Sequence, residues 1–375
     1  MSAPSWADLP ASSDPRITDV FAGALACVEG MPCADPAARE VLGLETGVEQ
    51  VLLVLVDGLG HEPLMANLGH APTLRSLRSE IRSIHTIAPS TTAAAITAFG
   101  TGRPPGATRM VGYSVARGDR AMNLLAFEGG PAPEAWQEIP TFFERLAAEG
   151  VESAVISPPT FAGSGLTRAA LRGARHVGAV KWEDRCDAAL RELRRGTPVV
   201  YLYWSDVDHA GHGHGVDSWE WTEALEHFDE GLRPLLRRLP GSVRAVLTAD
   251  HGMIDIDHSA IRDLASDPVL ARGVRILAGE TRALHVHAEA GEGEAVRNRW
   301  AGALGDDAWV LSPEEAGAVI GEGPGLAEIG DAFVFMNGRG GIVDSRVQSA
   351  AMIAMPGVHG SLTSAEMRIP LLRLA

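Results

Sequence analysis

The sequence predicts an α/β protein, a three-layer α/β/α sandwich around a mostly parallel central sheet. Three observations carry this. Residues 51–56 form an unbroken apolar run that ends on Asp57-Gly-Leu-Gly60, the pattern of a strand buried on both faces. Val243–Thr248 repeats the pattern and ends on Ala249-Asp250-His251-Gly252. Around these two runs, short apolar segments alternate with segments of helical period, the order that builds parallel sheets through helical crossovers.

Taken in order, residues 1–48 are rich in Pro, Ala and Ser and read as a lead-in with a short helix at 17–28. The strand at 51–56 follows. Leu64, Met65, Leu68, Leu74 and Leu77 recur at spacings near three and four, so 62–82 is expected to be helix interrupted by Gly69 and Pro72. Residues 81–87 read as a strand. Pro89-Ser90-Thr91-Thr92 ahead of an alanine run is a helix start, and Gly100 and Gly102 end that helix. The Gly- and Pro-rich stretch 103–140 is expected to form surface loops and a hairpin. Regular alternation resumes with a helix at 141–149, a strand at 151–156 and a short helix at 166–171. An amphipathic helix at 182–195 presents Cys186, Leu190 and Leu193 on one side. Next come a strand at 198–204, a long helix at 219–239 and the strand Val243–Thr248. Paired strands at 274–277 and 283–287, a helix at 293–304 and strands at 308–311 and 332–336 suggest a small α+β insertion, about 260–350. It sits within a single catalytic domain of 1–375 that closes with a strand at 369–374.

Bulk composition narrows the function. The 375 residues are 46% hydrophobic and 21% charged, ordinary for a soluble globular chain. The formal charge is −16 and the pI about 5.2, which repels nucleic-acid backbones and argues against polymeric nucleic acid as a partner. A small anionic substrate would need a local positive centre, such as a metal ion. Cys27, Cys33 and Cys186 form no Cys-x-x-Cys pair, and fit a reduced compartment. The first residues lack a basic segment followed by an apolar one, and the apolar runs are too short to span a bilayer. A cytoplasmic protein with no membrane partner is expected.

The chemistry gathers where strands end. An Asp-Gly turn explains Asp57 alone as well as a ligand role does. Thr91 and Thr92 open a helix, where free N–H groups and the dipole favour an anion. After the strand at 198–204 comes Ser205-Asp206-Val-Asp208-His209-Ala-Gly-His212-Gly-His214, aspartates and histidines among glycines, a composition suited to a divalent metal. Asp250-His251 and the glycine-flanked His359 complete the set. A single loop histidine is more often a surface residue. Several acidic and histidine sites at strand ends of one α/β frame are hard to explain structurally, because those ends share one edge.

These segments resemble the alkaline phosphatase superfamily, and within it the nucleotide pyrophosphatase/type I phosphodiesterase branch. The carrying motifs are Val-Asp57-Gly, Pro89-Ser-Thr-Thr92 with Thr101-Gly102, Asp208-His-Ala-Gly-His212, Asp250-His251-Gly and Gly357-Val-His359-Gly. The resemblance spans about 51–374, with 103–197 and 260–350 alike only in layout. It implies a phosphoester hydrolase, most closely a phosphodiesterase/nucleotide pyrophosphatase, with two divalent metal ions, zinc in the family. Asp57, Thr92, Asp250 and His251 would hold one ion; Asp208, His212 and His359 the other. Thr92 would be the nucleophile, because the family counts nine residues from it to the threonine of Thr-Gly, here Thr101. Thr91 is then a helix cap. Asp206, His209, His214 and His258 lie outside the ligand pattern and are either ligand-orienting or plain polar residues. A hydroxyl is a poor nucleophile at neutral pH, and a metal pair roughly 3.5–4 Å apart can activate it and stabilise both oxygens of an in-line displacement. The substrate expected is a small anionic phosphoester, a nucleotide among the candidates. A phosphomonoesterase or phosphonate hydrolase on the same frame is the alternative, and a silent metal-binding protein the alternative of another class. The family's Phe-Pro-Asn after the nucleophile is replaced by Ala93, Ala94 and Ala95, so its phosphoryl-binding asparagine is absent. No Cys-x-Pro-x-Arg sulfatase signature occurs.

Overall fold

The computed structural model describes residues 3–375. The chain opens with helix α1 (Ile17–Leu25). It enters the core on β1 (Gln50–Val56), every residue of which is buried. Total burial along a strand means that both faces of the sheet are covered, which is the three-layer arrangement. The amphipathic stretch after β1 splits as Gly69 and Pro72 dictate, into short helices His61–Ala66 and Pro72–Ser76. Strand β2 (Ile81–His85) and helix α2 (Thr92–Thr101) follow, α2 ending on Gly102 in the left-handed conformation. A hairpin of β3 (Ser114–Arg117) and β4 (Arg120–Asn123) comes next.

The second half of the sheet is built by α3 (Phe142–Ala148), β5 (Ser153–Ser157), β6 (Arg175–Gly178), α4 (Trp182–Arg194) and β7 (Val199–Trp204). Helix α5 (Asp206–His214), helix α6 (Trp219–Arg238) and β8 (Val243–Thr248) complete it. A smaller unit holds β9 (Val274–Glu280), β10 (Ala283–Ala288), α7 (Gly293–Leu304), β11 (Ala308–Leu311), α8 (Pro313–Ile320) and β12 (Ala332–Met336). The last strand is β13 (Arg368–Arg373).

The main sheet has seven strands in the order β2-β13-β8-β1-β7-β5-β6. β13 runs antiparallel to both of its neighbours, and the other strands share one direction. The small sheet is four-stranded and antiparallel, β9-β10-β12-β11.

Two expectations need correction. The stretch 103–140 is not all surface: Met110, Val111, Leu124 and Trp136 are buried and form a second core between the main sheet and the small one. Its glycines and prolines shape turns around that core. The segment after β7 is a helix, not a glycine-loosened loop. Gly211 is there for close approach, since a Cβ on it would lie 2.4 Å from Met253 Sδ.

A candidate metal centre at the carboxyl edge of the sheet

β8, β1 and β7 are adjacent and parallel, with Leu55 opposite Thr248 and Val56 opposite Trp204. Whatever follows them arrives together. Asp57 follows β1, Asp250 follows β8, and Asp208 stands in the first turn of α5 after β7. Gly58 lets them meet: its φ is +68°, and a Cβ there would lie 2.9 Å from the Asp208 Cα. Because β13 is antiparallel, the loop that precedes it reaches the same edge with His359. The turn before α2 is laced to that loop: Ser90 N–H donates to Gly360 O at 3.1 Å and Ser90 Oγ–H to Ser361 O at 2.6 Å. This places Thr92 beside His251, with Oγ1 3.1 Å from Nε2.

Each histidine is oriented by its other nitrogen. Nδ1 of His251 faces Gly252 O at 2.9 Å, that of His359 faces Ser90 O at 2.9 Å, and that of His212 faces Gly357 O at 2.8 Å. Nδ1 is thereby fixed as the donor, and Nε2 of each ring is left with a lone pair. These lone pairs converge: Nε2 of His359 and of His212 are 3.3 Å apart, and the His251 and His359 rings stack at 3.7 Å. Nε2 of His251 lies 3.5 Å from Asp57 Oδ1 and 3.4 Å from Asp250 Oδ2, and Nε2 of His212 lies 3.6 Å from Asp208 Oδ1.

The carboxylates show the same division. Asp250 Oδ1 accepts from the Gly58 and His251 N–H groups, both at 3.0 Å, and Asp57 Oδ2 accepts from the Tyr203 hydroxyl. Asp57 Oδ1, Asp208 Oδ1 and Asp250 Oδ2 are buried with no hydrogen-bond partner. Orphaned acceptors facing other acceptors are costly unless a cation lies among them. Asp57, Asp250 and His251 can present ligand atoms within 4.8 Å of one another, as can Asp208, His251 and His359. The donor set, N and O around a tight centre, fits a divalent ion.

Burial pushes Asp208 and Asp250 up to about 7. It raises Asp57 well above the usual carboxylate range, with the Asp250 charge adding to it. The same burial lowers His251 and His359, and their neighbouring imidazoles depress His359 further. Carboxyls driven neutral and imidazoles kept neutral have one cause, desolvation without a counter-charge.

All seven residues singled out in the sequence therefore come to one edge. The others do not. His209, His214 and His258 are exposed; His214 turns to Glu220 at 3.7 Å. Asp206 lines a separate cavity beside Lys181 and His227. Thr91 holds the N-cap position of α2 but its hydroxyl makes no cap; it hydrogen-bonds the carboxyl of Glu280 instead. Ala95, at the position of the absent asparagine, is fully buried in the main core. Sequence reading missed Tyr203, which reads as one more core aromatic, and Glu280, which enters the site from the small sheet. A cavity of about 590 Å³ opens from His212 and His359 and is walled by the β3–β4 hairpin, β9 and residues 342–358.

Aspartates behind three adjacent parallel strands, facing histidines from two loops and a helix, with a threonine opening α2, define a member of the alkaline phosphatase superfamily. The chain belongs to the type I phosphodiesterase / nucleotide pyrophosphatase family, whose sequence profile matches residues 51–318. Solved structures agree on the fold. The inactive murine ectonucleotide pyrophosphatase/phosphodiesterase 5 in complex with AMP is 16% identical, with a TM-score of 0.69 over 87% of this chain and 88% of that one. Phosphonoacetate hydrolase from Sinorhizobium meliloti 1021, in complex with phosphonoformate, is 19% identical, with a TM-score of 0.67 over 87% and 90%. Phosphopentomutase of Shewanella frigidimarina is 30% identical over 147 residues, 37% of this chain and 34% of its own length. The chain thus spans about a third of that curated relative. No helix among the described residues is long and apolar enough to cross a membrane.

Proposed function

We propose that the protein is a metal-dependent phosphoester hydrolase, of the phosphodiesterase/nucleotide pyrophosphatase kind, that works through a covalent phospho-threonine on Thr92. The observation that carries this is Thr92 Oγ1 standing 3.1 Å from His251 Nε2, amid three buried carboxylate oxygens without partners. Asp57, Thr92, Asp250 and His251 would hold one divalent ion and Asp208, His212 and His359 a second, zinc by the family pattern. When bound, the ions supply positive charge that lowers the hydroxyl's pKa and neutralises the phosphoryl oxygens.

Thr92 is the first residue of α2, and Ala95 is the first of that helix whose N–H is taken, by Thr91 O at 2.8 Å. The N–H groups ahead of it are free to donate to a phosphoryl oxygen, in the place of the absent asparagine. The Thr92 oxygen forms the new P–O bond as the ester P–O bond breaks, and the departing alkoxide takes a proton from solvent. Water then attacks phosphorus and restores the hydroxyl, releasing the phosphoryl product. Tyr203 holds Asp57 through its hydroxyl, and the Gly252, Ser90 and Gly357 carbonyls hold the three rings, so no group needs to reorganise during the reaction.

Thr92→Ala is expected to cut turnover of bis(p-nitrophenyl) phosphate at least about a thousandfold while metal analysis still finds bound ions. Substantial remaining turnover would remove Thr92 as nucleophile. A strong preference for p-nitrophenyl phosphate over the diester would replace the diesterase reading by the phosphomonoesterase one. We also read residues 1–375 as one catalytic domain with 260–350 inserted, and place the protein in the cytoplasm, which its three unpaired cysteines suit.

A further inference from the structure

The cavity beside His212 and His359 deepens that functional reading and rests on it. Its walls are aliphatic: Ile276 and Leu277 from β9, Ile342, Val347, Met352 and Met355. Val347 is 65% exposed at the mouth, which leaves apolar surface open to solvent at the entrance. The two methionines are half-buried on and just after the short helix Ala350–Ile353, and unbranched thioethers adapt to varied apolar shapes. Its volume of about 590 Å³ is that of a pocket for a small organic molecule.

The polar lining fits an anion poorly. Besides the two histidines, Arg120 is the one cationic side chain among the described lining residues, and it is exposed at the end of the hairpin. Three acids line the cavity: Asp119, Glu280 and Asp344. Asp344 is engaged by Arg346 at 2.7 Å. A second phosphoryl group in this space would meet no buried cation and no helix N-terminus. Tyr113 is the only aromatic in the lining, and it hydrogen-bonds Asn123, so a nucleobase would have one edge-held ring to stack on rather than a slot.

We propose that this cavity holds an organic substituent of the substrate ester and selects an uncharged, apolar one. The preferred class is then a phosphodiester of a hydrophobic alcohol rather than a nucleoside polyphosphate. Burying each methylene there contributes to transition-state binding, up to about 0.8 kcal/mol.

The test is a series of p-nitrophenyl phosphodiesters whose second substituent is methyl, hexyl or thymidin-5′-yl, given to the zinc-loaded protein. The expected kcat/KM rises at least tenfold from methyl to hexyl, and the thymidyl ester falls below hexyl. Met352→Gln and Met355→Gln should each shrink the hexyl-to-methyl ratio at least threefold. Calorimetry with hexylphosphonate and methylphosphonate on the Thr92→Ala protein reads the same preference as binding, apart from turnover. Equal methyl and hexyl values in both assays, a faster thymidyl ester, or a ratio untouched by both substitutions would overturn the proposal. Hydrolysis of the methyl ester with no length dependence sinks this inference and leaves the hydrolase reading standing. No hydrolysis of any ester sinks the hydrolase reading and this inference with it.

Discussion

At the residue scale, Asp57 shows how neighbours decide a role. Next to Gly58 it has the chemistry of a turn. In the fold its Oδ2 is occupied by Tyr203 and its Oδ1 is left without a partner toward Thr92 and His251, which is how a ligand is held. Asp57→Asn is expected to lower metal content at the Thr92 half of the site while the fold persists, measured by metal analysis alongside the melting temperature. Full occupancy with full activity would return Asp57 to a turn residue. The buried acids also set a pH dependence. Asp208 and Asp250 rise from an ordinary 3.8 to about 7, so the folded chain binds more protons than the unfolded one between those values. Their contribution to stability is present below about pH 4 and is lost as pH rises through 7. Metal-free protein should therefore melt lower at pH 8 than at pH 5, and divalent ions should restore more stability at pH 8 than at pH 5. Thermal scans with EDTA and with zinc check the sign.

At the scale of elements, α5 matters most. It carries Asp208 and His212 one turn apart, and it packs on the strand pair Ile254–Asp255 and Gly357–Val358. Gly211 and Gly357 allow that approach, a Cβ on Gly357 meeting Gly211 O at 2.2 Å. Alanine in a helix normally gains up to about 1 kcal/mol over glycine. At Gly211 the added methyl would meet Met253 and push α5 away, loosening the bond between His212 Nδ1 and Gly357 O. Gly211→Ala should change the melting temperature little and weaken the second metal equivalent about tenfold, read by competitive chelator titration. Unchanged affinity would mean that the helix accommodates the methyl without moving His212.

At the scale of the whole molecule, the small sheet is tied to the site through one buried ion pair. Arg282, at the turn into β10, forks onto Glu366 at 2.8 and 2.9 Å, and both are fully buried. Glu366 in turn accepts from Ser361 N–H at 2.9 Å and from the Thr363 hydroxyl at 2.6 Å, while its carbonyl accepts from Gly252 N–H at 2.9 Å. The pair thus bonds both the loop of His359 and the turn after His251. Arg282→Met strands a buried carboxylate and should cost about 3–5 kcal/mol in urea unfolding, with the double variant Arg282→Met/Glu366→Leu recovering much of it. A single-variant cost below about 1 kcal/mol would show that the loop holds without the pair.

The main strands and the principal helices were legible because their signals are local: Val243–Thr248 is apolar throughout, and Gly293–Leu304 has helical period. α5 was not legible as a helix, because Gly211 and Gly213 weaken its propensity and only packing against Met253 and residue 357 offsets that. Tyr203 and Glu280 were invisible as site residues, since nothing nearby in sequence separates a phenol or carboxyl aimed at a site from one in a core or on a surface. By itself the sequence determined the residue types and the strand ends that carry them, because each motif is continuous along the chain. The tertiary structure alone decided that β8, β1 and β7 are neighbours, that β13 reverses to bring His359 to Ser90, and that the small sheet closes an aliphatic cavity over them. Those facts depend on contacts between residues as many as about 270 positions apart, which no local pattern encodes.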